Sequence, residues 1–499
     1  MKNTDRLYLL ALLFLWLFSI DASAQLMQGK RIELDLASST EEEHQLYSLG
    51  EQGVLLFHSK EDLYKRKKSI DFVRYDSSLV ELWKTPFAVE DEFNLIRTFQ
   101  NERFLFSLFK KREKTDIGVL RLDLETGDKT YIEGNLLTNM DIDHFVVLQS
   151  KGYIGGKFND RPVVVMFNFF DKTSRVLPEI HANHLSISEM DVNYEDGLLL
   201  VMLKNDRNCQ YIVKTYSYEG KHLRTLNLGD KQKTPISGKI LTMANGSPLL
   251  LGNYAEGCSP LSIGFYLQRL DHDSKIQYID FSDLDNFFSF LKPRKEEKIK
   301  AKIRQKKQQG KEVKLRNRLL LHNIIPTPDG WLMVAEVFYP EYKSPSNGSI
   351  STWRNYRIGG EVYNNFRYTH AIICGFDHHG KLVWDNSVSL KEVQSGELNP
   401  MVQITHQNDF FILAYPDEDQ IKTVIVRKNE KVKDLDSFDL KAGTETEKIT
   451  DTDRTSLVAW YGHSFLVYGY QTIRKDNSLI NREVFTINKL TYSLKDGKQ

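Results

Sequence analysis

The residues with the most evident chemistry are the lysines and arginines of one segment, whose number and density suit the binding of anions. Residues 292–318, KPRKEEKIKAKIRQKKQQGKEVKLRNR, contain thirteen Lys/Arg and three Glu, a local excess of +10. The whole chain of 499 residues has 67 Lys/Arg and 67 Asp/Glu, so the remainder carries −10. Because the net charge is zero, attraction to a polyanion must come from uneven placement of charge.

Two pairs of histidines are candidate metal ligands, but neither has a spacing that favours a metal. His378 and His379 are adjacent in FDHHGKLVWD, so they would point in opposite directions on a strand, and a polar hairpin tip explains them more simply. His181 and His184, in HANH, have no acid or cysteine beside them in that motif. We therefore predict no metal and no cofactor.

Motifs for catalysis are missing from the sequence. There is no Gly-x-Ser-x-Gly, no His-Glu-x-x-His and no phosphate-binding loop. A pair of carboxylates for glycoside cleavage needs only to be close in space, so sequence spacing does not identify one. The sequence therefore does not decide whether the protein is an enzyme, but the missing motifs favour a non-catalytic protein.

The elements that must position these residues are short strands that recur as a unit. A very apolar strand appears eight times, for example GVLLFHS (53–59), GLLLVMLK (197–204) and GWLMVAEVFY (330–339). Hairpins with Gly, Asp, Asn or Ser at the tip follow it. Four strands per unit, at a period of about 40–50 residues, are typical of a β-propeller. The predicted blades are residues 44–90, 93–134, 143–180, 186–229, 234–284, 318–390, 398–441 and 449–494.

The last unit has three strands, and KRIELDL at 30–36 can supply the fourth, so that no open seam remains between the first and last blades.

Two segments resemble the repeats of PQQ-like propellers, which occur in quinoprotein dehydrogenases and in non-enzymatic outer-membrane assembly factors. These segments are FDHHGKLVW (376–384) and, more weakly, YDSSLVELW (75–83). The resemblance implies the fold but no cofactor, because vicinal cysteines and a regular Trp in each blade are absent. The predicted class is all-β: an eight-bladed β-propeller, alternatively seven-bladed, closed by an N-terminal strand and carrying one helical insertion.

The N-terminus predicts export. Lys2 and Arg6 precede an apolar run at 7–20, and Ala22-Ser23-Ala24 gives a cleavage pattern, so residues 1–24 are interpreted as a signal peptide and 25–499 as a single propeller domain. No later run reaches the roughly eighteen apolar residues of a spanning helix, so we expect no transmembrane span in the mature chain. We expect a monomer in the periplasm or outside the cell.

Export also bears on the three cysteines. Cys209 and Cys258 each follow the second strand of neighbouring blades, in matching loops, and exported proteins keep their disulfides. We predict a Cys209–Cys258 bridge. Cys374 lies in the apolar strand AIICGF and is interpreted as a buried free thiol.

Two segments interrupt the repeat: a helical insertion at 282–317 and a long loop at 340–367. SDLDNFFSFL (282–291) predicts a short capped helix, and Pro293 with later Lys/Arg and Gly310 predicts a second, basic one. Links between blades and loops between second and third strands share one face, so both segments emerge there. The predicted ligand-binding residues of this face are Lys65, Arg66, Lys110, Arg112, Lys300, Lys302, Lys306, Lys307, Trp353, Arg354, Tyr356 and Arg357.

Two functions remain open. The first is an exported, non-catalytic recognition or scaffold propeller of the bacterial cell envelope, binding an anionic glycan, a lipid head group or an acidic protein through the basic, aromatic-containing face. The alternative is a polysaccharide hydrolase or lyase, or a quinoprotein-type enzyme, with its site at the mouth of the central channel. Acids or histidines clustered at that mouth would favour the enzyme. Export argues against nucleic acid as a partner.

Overall fold

The computed structural model describes residues 25–36, 40–62, 68–90, 92–229, 232–243, 247–270, 275–343, 362–391, 393–407, 409–417, 420–476, 478 and 480–493. The predicted signal peptide lies outside these residues.

The chain folds as an eight-bladed β-propeller in which each blade is one antiparallel sheet; neighbouring strands follow chain order, except that blade 8 takes its outer strand from the N-terminal segment. The strands of blades 1 and 2 are β2 (Thr40–Ser48), β3 (Val54–Asp62), β4 (Lys68–Tyr75), β5 (Glu81–Ala88), β6 (Phe93–Gln100), β7 (Phe104–Lys111), β8 (Asp116–Asp123) and β9 (Lys129–Asn135). Those of blades 3 and 4 are β10 (Asp141–Leu148), β11 (Lys151–Phe158), β12 (Arg161–Asn168), β13 (Ser174–Val176), β14 (Leu185–Asn193), β15 (Leu198–Asn205), β16 (Tyr211–Ser217) and β17 (His222–Leu228).

Blade 6 is the only one of the eight sheets with six strands among the described residues. The strands of blades 5 and 6 are β18 (Lys233–Thr242), β19 (Pro248–Glu256), β20 (Gly264–Arg269), β21 (Gln277–Asp280), β22 (Arg318–Leu321), β23 (Ile325–Thr327), β24 (Gly330–Lys343), β25 (Val362–Asp377), β26 (Leu382–Ser389) and β27 (Gln394–Ser395). Those of blades 7 and 8 are β28 (Gln403–Gln407), β29 (Phe410–Asp417), β30 (Gln420–Arg427), β31 (Glu430–Asp439), β32 (Glu447–Ala459), β33 (Ser464–Lys475), β34 (Asn481–Ser493) and β1 (Gln25–Asp35).

The core is divided among the contacts between neighbouring blades. Eight hydrophobic clusters of described residues each combine side chains of two consecutive blades. One cluster joins Leu55 of blade 1 to Leu105 of blade 2, and another joins Leu46 of blade 1 to Phe485 of blade 8. The ring is therefore closed, and the prediction of eight blades is confirmed while the seven-bladed alternative is wrong.

The second strand of a blade is mostly apolar because it packs on blades at both of its faces. In β19, all eight residues from Pro248 to Ala255 are buried. The fourth strand is at the rim and alternates instead, as β5 does with exposed and half-buried residues in turn. This difference in burial explains why the second strands were the most visible repeat in the sequence.

The N-terminal strand closes the ring, as predicted. β1 pairs antiparallel with β34 from Gln25 opposite Ser493 to Asp35 opposite Val484, so it is the outer strand of blade 8 and is longer than the predicted 30–36. The Arg482 guanidinium on β34 contacts Glu33 and Asp35 of β1. Hydrogen bonds from Arg31 and Arg482 outweigh the effect of burial and lower the pKa of Glu33, so that this carboxylate stays ionised.

The insertion between blades 5 and 6 contains one helix, α1 (Pro293–Gln308), preceded by a 3₁₀ turn at Phe281–Asp283; a second 3₁₀ turn lies at Gly50–Gln52. Pro293 takes the first helical position, and Gly310 beyond the end has φ +68°. Among the described residues, no helix has the length and apolar character needed to cross a membrane.

Candidate functional site

The basic insertion is attached to the propeller through its first part, which lies against the outer strand of blade 6. The backbone N–H groups of Asp285 and Asn286 donate to the Asp385 carboxylate at 2.9 and 2.7 Å. The Ser387 hydroxyl donates to the carbonyl of Phe287 at 2.9 Å. These contacts use backbone groups that a helix would bond internally. The predicted capped helix at 282–291 is therefore wrong: blade 6, not a helical ladder, satisfies this segment.

Aromatic rings fix the same segment. Phe287 is buried in the cluster between blades 5 and 6. Phe290 stacks on His370 with ring centroids 3.8 Å apart and planes within 6°. Burial lowers the pKa of His370 to about 3, so the ring is neutral and stacks as an uncharged surface. The start of the insertion is thus rigidly positioned.

The end of the insertion is held by blade 5. Lys314 and Arg316 both contact the carboxylate of Glu256, the latter at 2.7 Å. Hydrogen bonds from these two cations lower the pKa of Glu256. Asn317 and Ser262 exchange backbone hydrogen bonds of 2.7 and 3.0 Å. Both ends of α1 are consequently attached to the propeller.

A disulfide stands next to this attachment. Cys258, two residues after Glu256, is bonded to Cys209 of blade 4, with Cα atoms 5.4 Å apart. It joins the two matching loops on the face from which the insertion emerges. Cys374 is a buried free thiol within blade 6, and burial raises its pKa well above the usual value.

The helix α1 itself buries none of its residues. Two of the predicted ligand residues have acid partners: Lys300 contacts Glu296 at 2.6 Å and Lys307 contacts Asp283 at 2.7 Å. The remaining basic residues of α1 are exposed and have no carboxylate within 4.0 Å in the described part of the chain; these are Arg294, Lys295, Lys298, Lys302, Arg304 and Lys306. The helix α1 therefore presents a row of cations without acid partners among the described residues. The segments before and after it are attached to the propeller, but the helix itself buries no side chain against the blades.

The predicted residues of blade 2 are placed differently. Lys110 is buried, its ammonium donates to Asn139 at 2.7 Å, and burial lowers its pKa. Arg112 is exposed and its guanidinium lies 4.0 Å from the carboxylate of its neighbour Glu113. Of these two residues, only Arg112 presents its charge to solvent.

Acids in the link between blades 1 and 2 neutralise other lysines of this face. Lys114 contacts Glu92 at 2.7 Å, and Lys111 lies 3.5 Å from Glu90 and 3.7 Å from Glu92. Sequence spacing did not show that this acidic link lies beside the basic loop of blade 2. The loop of blade 2 therefore adds little uncompensated positive charge to this face, in contrast to α1.

Several predicted residues lie outside the described residues, namely Lys65, Arg66, Trp353, Arg354, Tyr356 and Arg357. The strands that flank the long loop are described. β24 and β25 remain paired as far as Lys343 opposite Val362, which lengthens this hairpin on the face of the insertion.

The histidine pairs of the sequence lie in turns or links. His379 donates its backbone N–H to Asp377 at 2.9 Å, and the His378 ring lies 3.0 Å from the carbonyl oxygen of Pro328. His181 and His184 are both exposed. Neither pair belongs to the group of His and acid side chains that the structure brings together, described below.

An acidic cavity of about 440 Å³ opens between blades 8 and 1, on the face from which the insertion emerges. Six carboxylates and one guanidinium line it: Glu41, Glu42, Glu43, Asp451, Asp453, Glu483 and Arg454. Tyr470 also lines it. The sequence did not identify this cavity, because its two halves come from opposite ends of the chain. The run Glu41–Glu43 at the start of an inner strand was its one visible sign.

No protein-family model and no curated protein sequence matches the chain. Among solved structures, the β-propeller domain of Nup133 from Vanderwaltozyma polyspora is 12% identical, covers 80% of this chain and 100% of its own, and has a TM-score of 0.39. The β-propeller domain of the Trilobed protease from Pyrococcus furiosus is 9% identical, with coverages of 81% and 94% and a TM-score of 0.35. The polysaccharide lyase Uly1 is 8% identical, with coverages of 79% and 89% and a TM-score of 0.37. Similarity at this level assigns no activity to this chain.

Proposed function

We propose that this chain is an exported, non-catalytic recognition propeller of the bacterial cell envelope, and that α1 and the surface around it bind an anionic partner. The observation that carries the proposal is the set of exposed cations on α1 without acid partners among the described residues. A surface helix normally contributes to folding by burying an apolar face, which α1 does not do. Its charge is thus better explained by a ligand than by the fold.

Among anionic partners, an extended polyanion such as an acidic glycan fits best. A helix of 16 residues is about 24 Å long at about 1.5 Å per residue. A single head group would engage only a few cations, whereas a polymer lying along the helix would contact cations over its whole length. Lipid head groups and acidic proteins remain as outcomes of the test below.

Export is supported by two features. The disulfide between Cys209 and Cys258 suits an oxidising compartment. All four strands of blade 8 lie within residues 25–493, so removal of the predicted signal peptide would leave this blade complete.

The test compares two double variants of equal charge. Lys302→Gln with Lys306→Gln removes exposed charges from α1, while Lys221→Gln with Lys381→Gln removes two exposed charges from turns of the opposite face. On immobilised heparin the α1 variant should elute at lower salt than both the parent and the control, because both variants lose the same net charge but only the α1 variant loses cations that contact the polyanion. Equal elution of the two variants would contradict the proposal.

The same variants identify the partner class. Weakened binding to heparin supports a glycan. If the α1 variant loses binding only to anionic lipid vesicles, the partner is a membrane surface and not a glycan. If it loses binding only to polyglutamate, the partner is an acidic protein and not a glycan. The parent protein should bind none of these at high salt.

A second candidate, a polysaccharide hydrolase or lyase, is favoured by one observation, the acidic cavity between blades 8 and 1. Paired carboxylates are the groups that glycoside cleavage requires. Release of new sugar ends from acidic polysaccharides by the parent, and its loss in Asp451→Asn, would favour this candidate over recognition alone.

A further inference from the structure

Three side chains with metal-binding atoms meet between blades 1 and 8. His44 on β2 and His58 on β3 are directly opposite each other in the antiparallel register, so both side chains lie on the same side of the blade. Their rings stack with centroids 4.1 Å apart. Glu42 lies two residues before His44, and its Oε2 is 2.7 Å from His58 Nε2 and 3.9 Å from His44 Nε2. All three ligand atoms lie within 4.8 Å of one another.

The tautomer of His44 follows from its neighbours. The Tyr470 hydroxyl donates its one proton to the backbone carbonyl of Glu42 at 3.2 Å. With that proton so placed, the ring N–H at His44 Nδ1 donates to the hydroxyl oxygen across a contact that is also 3.2 Å. A neutral imidazole with its proton on Nδ1 carries a lone pair on Nε2. The hydroxyl thus turns a lone pair of His44 toward Glu42.

That lone pair has no donor. The His44 side chain is 0% exposed, and its Nε2 has no hydrogen-bond partner among the described residues. The carboxylate oxygen Glu42 Oε2 lies 3.9 Å from this nitrogen, and it is itself an acceptor that takes the hydrogen bond of His58. Two acceptors thus face each other across 3.9 Å, a distance too long for one shared proton. Burying an acceptor in this way is unfavourable unless a cation or donor stands between them.

A metal ion fits this gap. Zinc lies about 2.0–2.2 Å from imidazole nitrogen and carboxylate oxygen, so one ion can contact both atoms across the observed separation. In its other tautomer, His58 offers Nε2 as the third ligand. Two imidazoles and a carboxylate suit divalent transition metals better than Ca²⁺ or Mg²⁺, which prefer oxygen ligands. The Tyr470 bond to Nδ1 is the outer contact that metal-bound histidines usually have.

The site has an entrance. Glu42 and Tyr470 also line the acidic cavity, where five further carboxylates would attract a cation. An ion held by the three ligands would keep one position open toward that cavity. We propose that Glu42, His44 and His58 form a binding site for a divalent transition-metal ion such as Zn²⁺, entered from the cavity between blades 8 and 1. The proposal does not depend on the anion-binding role of α1.

The test uses untagged full-length mature protein, freed of metal with a chelator and titrated with Zn²⁺ by calorimetry. We expect one Zn²⁺ per chain. His44→Gln should weaken the affinity by roughly 100-fold or more, because loss of an outer contact alone weakens metal sites by roughly 10- to 100-fold. Tyr470→Phe, which keeps all three ligands, should weaken it by roughly 10- to 100-fold and provides a second variant if His44→Gln does not fold.

A matched control is present in blade 6. His322 is also buried and lies 2.9 Å from a buried carboxylate, that of Glu336, but it belongs to no three-ligand group among the described residues. His322→Gln should bind Zn²⁺ as the parent does. No stoichiometric Zn²⁺ in the parent, or equal affinity in the parent, His44→Gln and Tyr470→Phe, would refute the site.

Discussion

The closing strand gives the sharpest test of how the ring is held. Leu26 and Met27 are adjacent on β1 but face opposite sides: Leu26 is 3% exposed and Met27 is 52% exposed. Leu26 packs with Ile412 of blade 7 and Leu490 of blade 8 in one cluster. Truncation to alanine at these two positions therefore compares one buried and one exposed site on the same strand, with the same backbone pairing.

The expected loss for Leu26→Ala can be worked from its burial. Transfer of a buried leucine side chain from water is worth about 2 kcal/mol. The remaining cavity adds to this, but an outer strand can move inward, so we expect about 2–3 kcal/mol, near the lower end for buried leucines. At about 1.4 kcal/mol per factor of ten, the β1 amides should exchange with solvent roughly 30- to 150-fold faster. For 499 residues the entropy of unfolding is about 1 kcal/mol per kelvin, so Tm should fall by only about 2–3 °C.

Hydrogen exchange read by mass spectrometry on peptides of β1 and β34 is thus the sensitive assay. Met27→Ala should exchange like the parent, within about a factor of two, since surface substitutions change stability by about 0.5 kcal/mol at most. Equal exchange in Leu26→Ala and Met27→Ala would refute the argument that packing against blade 7 holds the strand. Removal of the whole strand should expose the edge of β34 and cause aggregation.

Two further outcomes are expected. Peptide mapping without reduction should recover Cys209 linked to Cys258. Replacing both cysteines by serine should lower the free energy of unfolding by about 4 kcal/mol, the value expected for a sequence separation of 49. Free thiols at both positions in the exported protein would show that the bridge does not form. Burial raises the pKa of Asp191 to about 6, so the folded state binds a proton more tightly than the unfolded chain and stability falls as pH rises from about 4 to 7. Asp191→Asn should therefore be up to about 3 kcal/mol more stable than the parent at pH 8 and similar near pH 4 in urea unfolding, whereas exposed Glu195→Gln should show no such difference.

Much of the architecture could be predicted from local hydrophobic patterns and helix-end signals in the sequence. A second strand that is buried on both faces must be mostly apolar, so segments such as 197–204 stood out and indicated the number of blades. The incomplete last unit lacked a fourth strand, and the predicted strand at 30–36 could provide it, as the pairing of β1 with β34 confirms. Helix α1 was predictable because Pro293, its acids and bases, and Gly310 all act within a few residues of the helix ends.

Contacts between segments that are distant in the sequence could not be predicted from such local patterns. The segment 282–291 has the composition of a short helix, but Asp385 and Ser387 of blade 6 bind its backbone, and they lie about a hundred residues further along. Lys110 was predicted as a surface ligand and is buried beside Asn139. Acids at Glu90 and Glu92 compensate lysines that sequence spacing alone left unpaired.

The group of Glu42, His44 and His58 separates what the sequence determines from what only the tertiary structure determines. The sequence fixes the register of the β2–β3 hairpin through its short turn, and this register already sets His44 opposite His58. The tertiary structure alone brings in Tyr470, separated by 426 residues from His44, because closing the ring places blade 8 against blade 1. Local backbone pairing needs only neighbouring residues, whereas the contact that turns the His44 lone pair toward Glu42 exists only when both ends of the chain meet.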